Sequence, residues 1–218
     1  MPGSWEFGPP QVLVAILTRE TVTTKWAQGF RELQMPPQSQ IIFLTGMPFG
    51  HARNSACQTA LQHNFTYLFF LDDDVICPPD TIPRLMSRGQ DIISGLYFRR
   101  AEPINMPVML KDTKPKPSFI TGFQPGTLIE ADLVGAGCLL LHRRVIERVP
   151  PPKFEWTIDY DGVHSNINVP ESERASEDFT FMRKAKKLGF RIIVDTSVQC
   201  IHAGLSSASM AGFGPLHL

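Results

Sequence analysis

Long hydrophobic runs are missing from this sequence. No apolar stretch approaches the roughly 20 residues that a helix needs to cross a bilayer. The segment Met1 to Pro10 carries Trp5, Glu6, Pro9 and Pro10 where a secretory signal needs an apolar core. An excess of one charge is missing too: 21 Lys and Arg offset 21 Asp and Glu. That balance removes the footprint of a protein that coats nucleic acid and leaves only a local basic patch as a route to it. Cysteine is scarce. Cys57, Cys77, Cys138 and Cys200 are widely spread, no pair has CxxC spacing, and three sit in or beside apolar runs. Buried free thiols are therefore expected, in place of a disulfide framework or zinc site, and a reducing, cytoplasmic setting with them. There is no internal repeat, and no Gly-rich, Lys/Arg-bearing phosphate loop after the first apolar run.

What is present suits one well-buried α/β domain, since 218 residues are short for two. Val12 to Leu17 is a continuous apolar run, as in a strand buried on both faces. A helix is predicted from Thr23 to Leu33, a strand from Ile41 to Leu44, and a helix from His51 to His63 with alanines at helical spacing. Tyr67 to Leu71 and Asp91 to Tyr97 read as further buried strands. This alternation predicts a mostly parallel central sheet flanked by helices. Beyond it, Arg99 to Gln124 reads as loop with short strands, and Leu133 to Leu141 as one strand leading into Arg143 to Arg148. Pro150 to Ser176 is a long loop of the kind that often carries function. Ser176 is placed to cap a helix that Gly189 stops, and Arg191 to Val194 and Val198 to Ile201 read as strands. The tail from Gly204 is Gly/Ser-rich and is expected to be flexible.

Chemistry concentrates at Asp72-Asp73-Asp74, directly after the run Tyr67 to Leu71. Three adjacent carboxylates at the end of a buried strand repel one another, and a divalent cation with a taste for oxygen ligands offsets that cost. Strand carboxyl ends are also where open α/β sheets bind ligands. On an extended backbone residues 72 and 74 share a side. The pair Glu177-Asp178 falls in the first turn of a helix, where acidic residues also stabilise the helix dipole without any chemistry. His202 ends a late apolar segment, a place that structural histidines also occupy.

Taken in order, these elements resemble the GT-A glycosyltransferases, family 2 and its relatives especially, from Val12 to about Gly204. The acidic element reads LDDDV with Pro79 and Leu85 downstream, similar to the family's LDADD followed by Pro and Leu. SEDFTFMRKAKKLGFRIIV resembles the family's ED, helix, Gly, strand pattern; VGAGCLLLHRRVIERV and ARNSA at Ala52 to Ala56 are similar to two further segments. The resemblance implies a nucleotide-sugar-binding half at about 11–98, an acceptor-side half at about 99–204, and a free tail at 205–218. It implies that Thr18, Arg19, Arg53 and Asn54 lie near the nucleotide. Asp72 and Asp73 belong to the donor site, and Asp74, His202 and Asp72 are the candidate ligands of Mn²⁺ or Mg²⁺. Asp178 is the implied catalytic base of an inverting enzyme, with Glu177 supporting the acceptor side. Gly135, Ala136 and Gly137 either let backbone approach the donor sugar or simply pack closely. Trp156 and Tyr160 either stack on a sugar or anchor their loop. The family's Pro-x-Tyr-Asn type of motif is replaced here by AILTRETVT, which leaves a UDP-sugar and a GDP-sugar both open as donor.

The reaction so implied is metal-dependent transfer of a sugar from a nucleotide-diphospho-sugar to an unknown acceptor hydroxyl, with a nucleic-acid acceptor not expected. Its rivals are a non-catalytic nucleotide-sugar-binding module, a DxD phosphohydrolase and a nucleotidyltransferase. The phosphohydrolase pattern wants Thr or Val two residues past the second Asp, where Ile76 stands.

Overall fold

A computed structural model describes residues 11–99, 106–114, 116–157 and 175–203. Its elements, in chain order, are β1 (Val12–Thr18), α1 (Thr24–Glu32), β2 (Gln40–Thr45), α2 (Phe49–Gln62), β3 (Tyr67–Asp72), β4 (Val75–Ile76), α3 (Thr81–Ser87) and β5 (Ile92–Leu96). There follow β6 (Met109–Lys111), β7 (Ser118–Phe119), β8 (Leu128–Ala131), β9 (Leu133–Val134), β10 (Cys138–His142), α4 (Arg143–Arg148), α5 (Glu177–Lys187), β11 (Ile192–Gln199) and β12 (Ile201–His202).

Side chains on β1 alternate between two cores, as a strand covered on both faces requires. Leu13, Ala15 and Leu17 join Leu68 and Phe70 of β3 on one face, while Val12, Val14 and Ile16 join Phe69 and Leu71 on the other. The first face is covered by α2, α4 and α5 and the second by α1 and α3, through Ala52, Ala56, Val145 and Phe181 and through Trp26, Ile82 and Leu85. The helices are started and stopped locally. The Thr23 hydroxyl accepts the Trp26 N–H at 3.1 Å to open α1, and Gly189, at φ 88°, takes the chain away from α5.

The central sheet has seven strands in the order β2-β1-β3-β10-β5-β11-β8. β2, β1, β3, β5 and β11 run one way; β10, between β3 and β5, and β8, at an edge, run against them. The sheet is thus mixed α/β and mostly parallel in strand direction. None of the described helices is long and apolar enough to cross a membrane.

Several local expectations change. The run Leu133 to Leu141 is interrupted at Gly135–Gly137, giving β9 in a small sheet with β6 and β10 in the large one. Ile192 to Gln199 forms one strand with a register shift between Asp195 and Gln199, in place of two. Asp73 and Asp74 form a turn between β3 and β4, so no extended backbone joins residues 72 and 74. The Ser176 side chain caps no helix N–H. The flexible tail and Tyr160 lie outside the described residues.

Candidate active site

The site forms where β1 and β3 end side by side, with Leu17 paired to Asp72. The Asp73 N–H donates to the Leu17 carbonyl at 3.2 Å, and its carboxylate accepts the Arg19 N–H at 3.2 Å. Asp73 therefore ties the two strand ends together. Glu20, just beyond, holds φ 105°, a conformation that side chains rarely adopt and that clusters near functional loops.

Arg53, reaching from α2, is 2% exposed and gathers the carboxylates. Its guanidinium donates to Asp72 at 3.0 Å, to Glu177 at 3.4 Å and to the Ala136 carbonyl at 3.2 Å. Its Cζ lies 5.1 Å from the Phe70 ring centroid. Burial opposes its charge, but Asp72, Glu177 and Asp178 more than reverse that and raise its pKa further. Burial pushes the Asp72 carboxyl up, Arg53 pulls it down, and Asp74 and Asp178 push it up again. Glu177 is pushed up to about 7, by burial first and then by Asp178, against the pull of Arg53. Burial also raises Asp178, although the Ser176 hydroxyl, Arg53 and the Phe179 N–H favour its ionised form. The Ser176 hydroxyl is spent on that carboxylate, which also accepts the Phe179 N–H at 2.8 Å.

Asp74 and His202, 128 positions apart in the numbering, meet because β4 pairs with β12. Nε2 of His202 lies 3.3 Å from the Asp74 carboxylate, and Nδ1 lies 2.8 Å from the Phe98 carbonyl. A carbonyl can only accept, so Nδ1 carries a proton and, in the neutral ring, Nε2 turns a lone pair toward the carboxylate. Two acceptors facing each other need a proton or a cation between them. A histidine pinned by a backbone carbonyl is also the usual second-shell arrangement of a metal ligand. The donor set therefore fits a divalent ion, with Asp72 near enough to Asp74 to feel its charge.

Two cavities share Arg19 and Phe49. One, of about 680 Å³, is largely apolar and is walled by Leu17, Thr18, Leu44 and Trp156. The other, of about 830 Å³, takes in Asp72, Asp74, Asp178, His202, Tyr97 and Gly135. Of the residues singled out in the sequence, Thr18, Arg19 and Trp156 come together at the first, and Asp72, Asp74, Asp178, His202 and Gly135 at the second. Arg53, Glu177, Ala136 and Gly137 lie behind this wall. Asn54 clamps a loop: it donates to the Gly50 and Phe154 carbonyls at 2.7 and 2.6 Å and accepts the Lys153 and Phe154 N–H groups. That loop is also held by Phe154, stacked on Phe181 at 4.2 Å, and it presents Trp156.

Tyr97, Phe49, Arg99 and Lys116 also line the second cavity, though no motif marks them in the sequence. Tyr97 accepts the Gly137 N–H at 3.0 Å and packs edge-on to His202. Burial, with Asp72 and Asp178 adding to it, raises its pKa well above the usual value and keeps it a neutral phenol. A tyrosine closing an otherwise apolar strand was the available signal. Arg99 and Lys116 had none, for they sit in the irregular stretch and reach the cavity only through folding.

Neither the known family models nor the curated proteins include a match to the sequence. Solved structures do match the fold, which is GT-A-like. The crystal structure of A197 from STIV aligns with a TM-score of 0.59 at 16% identity, covering 88% of this chain and 85% of that one. The crystal structure of GalNAc-T7 with UDP, GalNAc and Mn²⁺ aligns with a TM-score of 0.58 at 10% identity, covering 91% of this chain. This chain spans 44% of the GalNAc-T7 chain. At such identities the likeness is one of fold.

Proposed function

We propose that this chain is a metal-dependent glycosyltransferase, moving a sugar from a nucleotide-diphospho-sugar to an acceptor hydroxyl with inversion. The observation that carries the reading is the meeting of Asp74 and His202 beside Asp72 and Asp178 on one cavity, at the carboxyl ends of β1 and β3. Asp74 and His202, with Asp72 alongside, would hold Mn²⁺ or Mg²⁺. Bound there, such an ion would supply Lewis-acid stabilisation for a diphosphate leaving group.

The chain's own groups do the rest. The apolar cavity beside Thr18, Phe49 and Trp156 accepts a nucleobase, and its lining leaves uridine and guanosine both admissible. Arg19 stands between the two cavities, where a diphosphate would pass. Asp178 takes the acceptor proton, and its raised pKa makes it a stronger base than an ordinary aspartate. Arg53 holds Asp72 and Glu177 in place from behind, so Glu177 contributes through Arg53. The reading keeps a donor half and an acceptor half that divide at about residue 98, as the resemblance implies. Four free, buried thiols suit a cytoplasmic enzyme.

A thermal-shift screen of UDP- and GDP-sugars, with Mn²⁺ or EDTA, tests this directly. One donor class should raise the melting temperature only with the metal, since a ligand at 100 times its Kd adds about 2.7 kcal/mol. Asp74→Ala should lose that metal-dependent part. Metal-independent binding, or an unchanged response in Asp74→Ala, overturns the assignment of the centre.

A further inference from the structure

Three of the four cysteines meet directly behind the acidic turn. Cys77 follows β4, Cys138 opens β10, and Cys200 lies between β11 and β12; all are buried, with their sulfurs within 4.8 Å of one another. Gly95 of β5 leaves them room, for a Cβ there would stand 2.9 Å from the Cys138 sulfur and 3.1 Å from that of Cys200. The Cys200 thiol donates to the Cys77 sulfur at 3.5 Å.

Register singles out one pair. β4 and β12 pair Val75 with His202 and Ile76 with Ile201; continued by one step beyond the two strands, that register would set Cys77 against Cys200. Directly opposed residues on such a ladder have Cα atoms about 4.5–5.5 Å apart, within the range a disulfide spans. Cys138 belongs to the large sheet and is off this ladder.

Two chemistries suit clustered thiols, and the surroundings choose between them. A divalent ion on three thiolates would leave a net negative charge among Val75, Ile93, Leu140 and Val198, which share this core. Among the described residues it would also lack the fourth ligand that structural zinc takes, and a buried, uncompensated charge is strongly disfavoured. A disulfide is neutral and removes two thiols that make only a weak hydrogen bond.

We propose that Cys77 and Cys200 are a redox modification site, closed by thiol–disulfide exchange with a low-molecular-weight disulfide, RSSR. While the chain is still open and its thiols reach solvent, the Cys77 thiolate attacks RSSR, forming Cys77–S–SR and releasing one RSH. The Cys200 thiolate then attacks the Cys77 sulfur, forming the intramolecular bond and releasing the second RSH. The two cysteines lose two electrons and two protons, and RSSR carries both away as two thiols. The new bond lies three residues after Asp74 and two before His202. Oxidation therefore fastens covalently the short ladder that holds those two side chains together, and it links positions 123 residues apart.

Refolding the reduced full-length chain in a glutathione redox buffer avoids the protection that burial gives the native thiols. Thiol titration under denaturing conditions should find two free thiols where the reduced protein has four, and peptide mapping should join Cys77 to Cys200. The melting temperature should rise by about 5–10 °C and fall back with dithiothreitol. Cys57→Ala should leave this behaviour intact, and Cys200→Ala should abolish it. If Cys200→Ala does not fold, mapping of the unsubstituted chain decides alone. Four free thiols after oxidation, a crosslink through Cys138, or no rise in melting temperature overturns the proposal. So does uptake of Cd²⁺, added alone, with a thiolate charge-transfer band. No readout uses a donor sugar or the Asp74 metal, so failure here and failure of the transferase reading are distinguishable.

Discussion

At Arg53 one guanidinium, almost wholly removed from water, meets Asp72 from β3 and Glu177 from α5, and the two carboxylates are held differently. Asp72 borders the cavity, whereas Glu177 is 4% exposed and faces Arg53. Its pKa, raised from 4.5 to about 7, makes it a reporter of this cluster. Between those values the folded chain binds a proton that the unfolded chain has released. Its favourable contribution is therefore complete below pH 4.5 and is lost as pH rises through about 7. A shift of that size is worth roughly 3 kcal/mol. Glu177→Gln cannot titrate, so relative to the unsubstituted chain it should gain about that much stability between pH 4.5 and 8. Urea denaturation of both proteins across this range measures the difference. A difference that does not change with pH would mean that Arg53 keeps Glu177 ionised throughout.

The break between β9 and β10 shows what small residues accomplish at the scale of an element. A Cβ on Gly135 would collide with the Tyr97 hydroxyl and stand 2.9 Å from Val108, and one on Gly137 would stand 3.2 Å from the Asp72 carboxylate. The chain passes between Tyr97 and the site only because both positions lack side chains. Gly135→Ala should cost about 2–4 kcal/mol, from overpacking and from loss of the hydrogen bond between the Gly137 N–H and Tyr97. Adding Tyr97→Phe removes the obstructing oxygen, so the double variant should recover part of that loss. A double-mutant cycle by chemical denaturation reads this coupling, and strictly additive penalties would show that the strand relaxes elsewhere. Elements of this kind were partly legible in the sequence. β1 and β3 show themselves through continuous apolar runs, and α5 through its charged ends and the glycine that stops it. β10 read as part of one longer strand because nothing local reports that residues 135–137 must skirt a tyrosine forty positions away. α3 is only seven residues long and contains Pro83, so its period is too short to declare itself.

Across the whole molecule the acidic turn stood out because charge at the end of a buried strand violates the pattern around it. Its partners did not, since Phe49, Tyr97, Arg99 and Lys116 become neighbours of the site only when distant segments pack. The turn at Asp73–Asp74 lacked the glycine or proline that usually announces one. What the assembled molecule offers is two cavities joined at Arg19 and Phe49, with Asp178 delivered by α5 from late in the chain. On the proposed transferase reading, direct displacement needs a base for the acceptor and a stabilised leaving group, and no protein nucleophile. Of the described aspartates on this cavity, Asp72 is paired with Arg53 and Asp74 lies against His202, which leaves Asp178 as the group suited to take a proton. Asp178→Asn preserves the size of the side chain and an oxygen for the Phe179 N–H. It should keep metal-dependent donor binding while lowering kcat by roughly two to four powers of ten. The product should carry the inverted anomeric configuration, read by NMR. If Asp178 served only to stabilise α5, the substitution would cost about 1 kcal/mol of stability and little rate. Near-normal turnover in the variant, or a retained configuration in the product, would overturn the role of Asp178 and leave the donor side of the site to be judged by its metal-dependent binding.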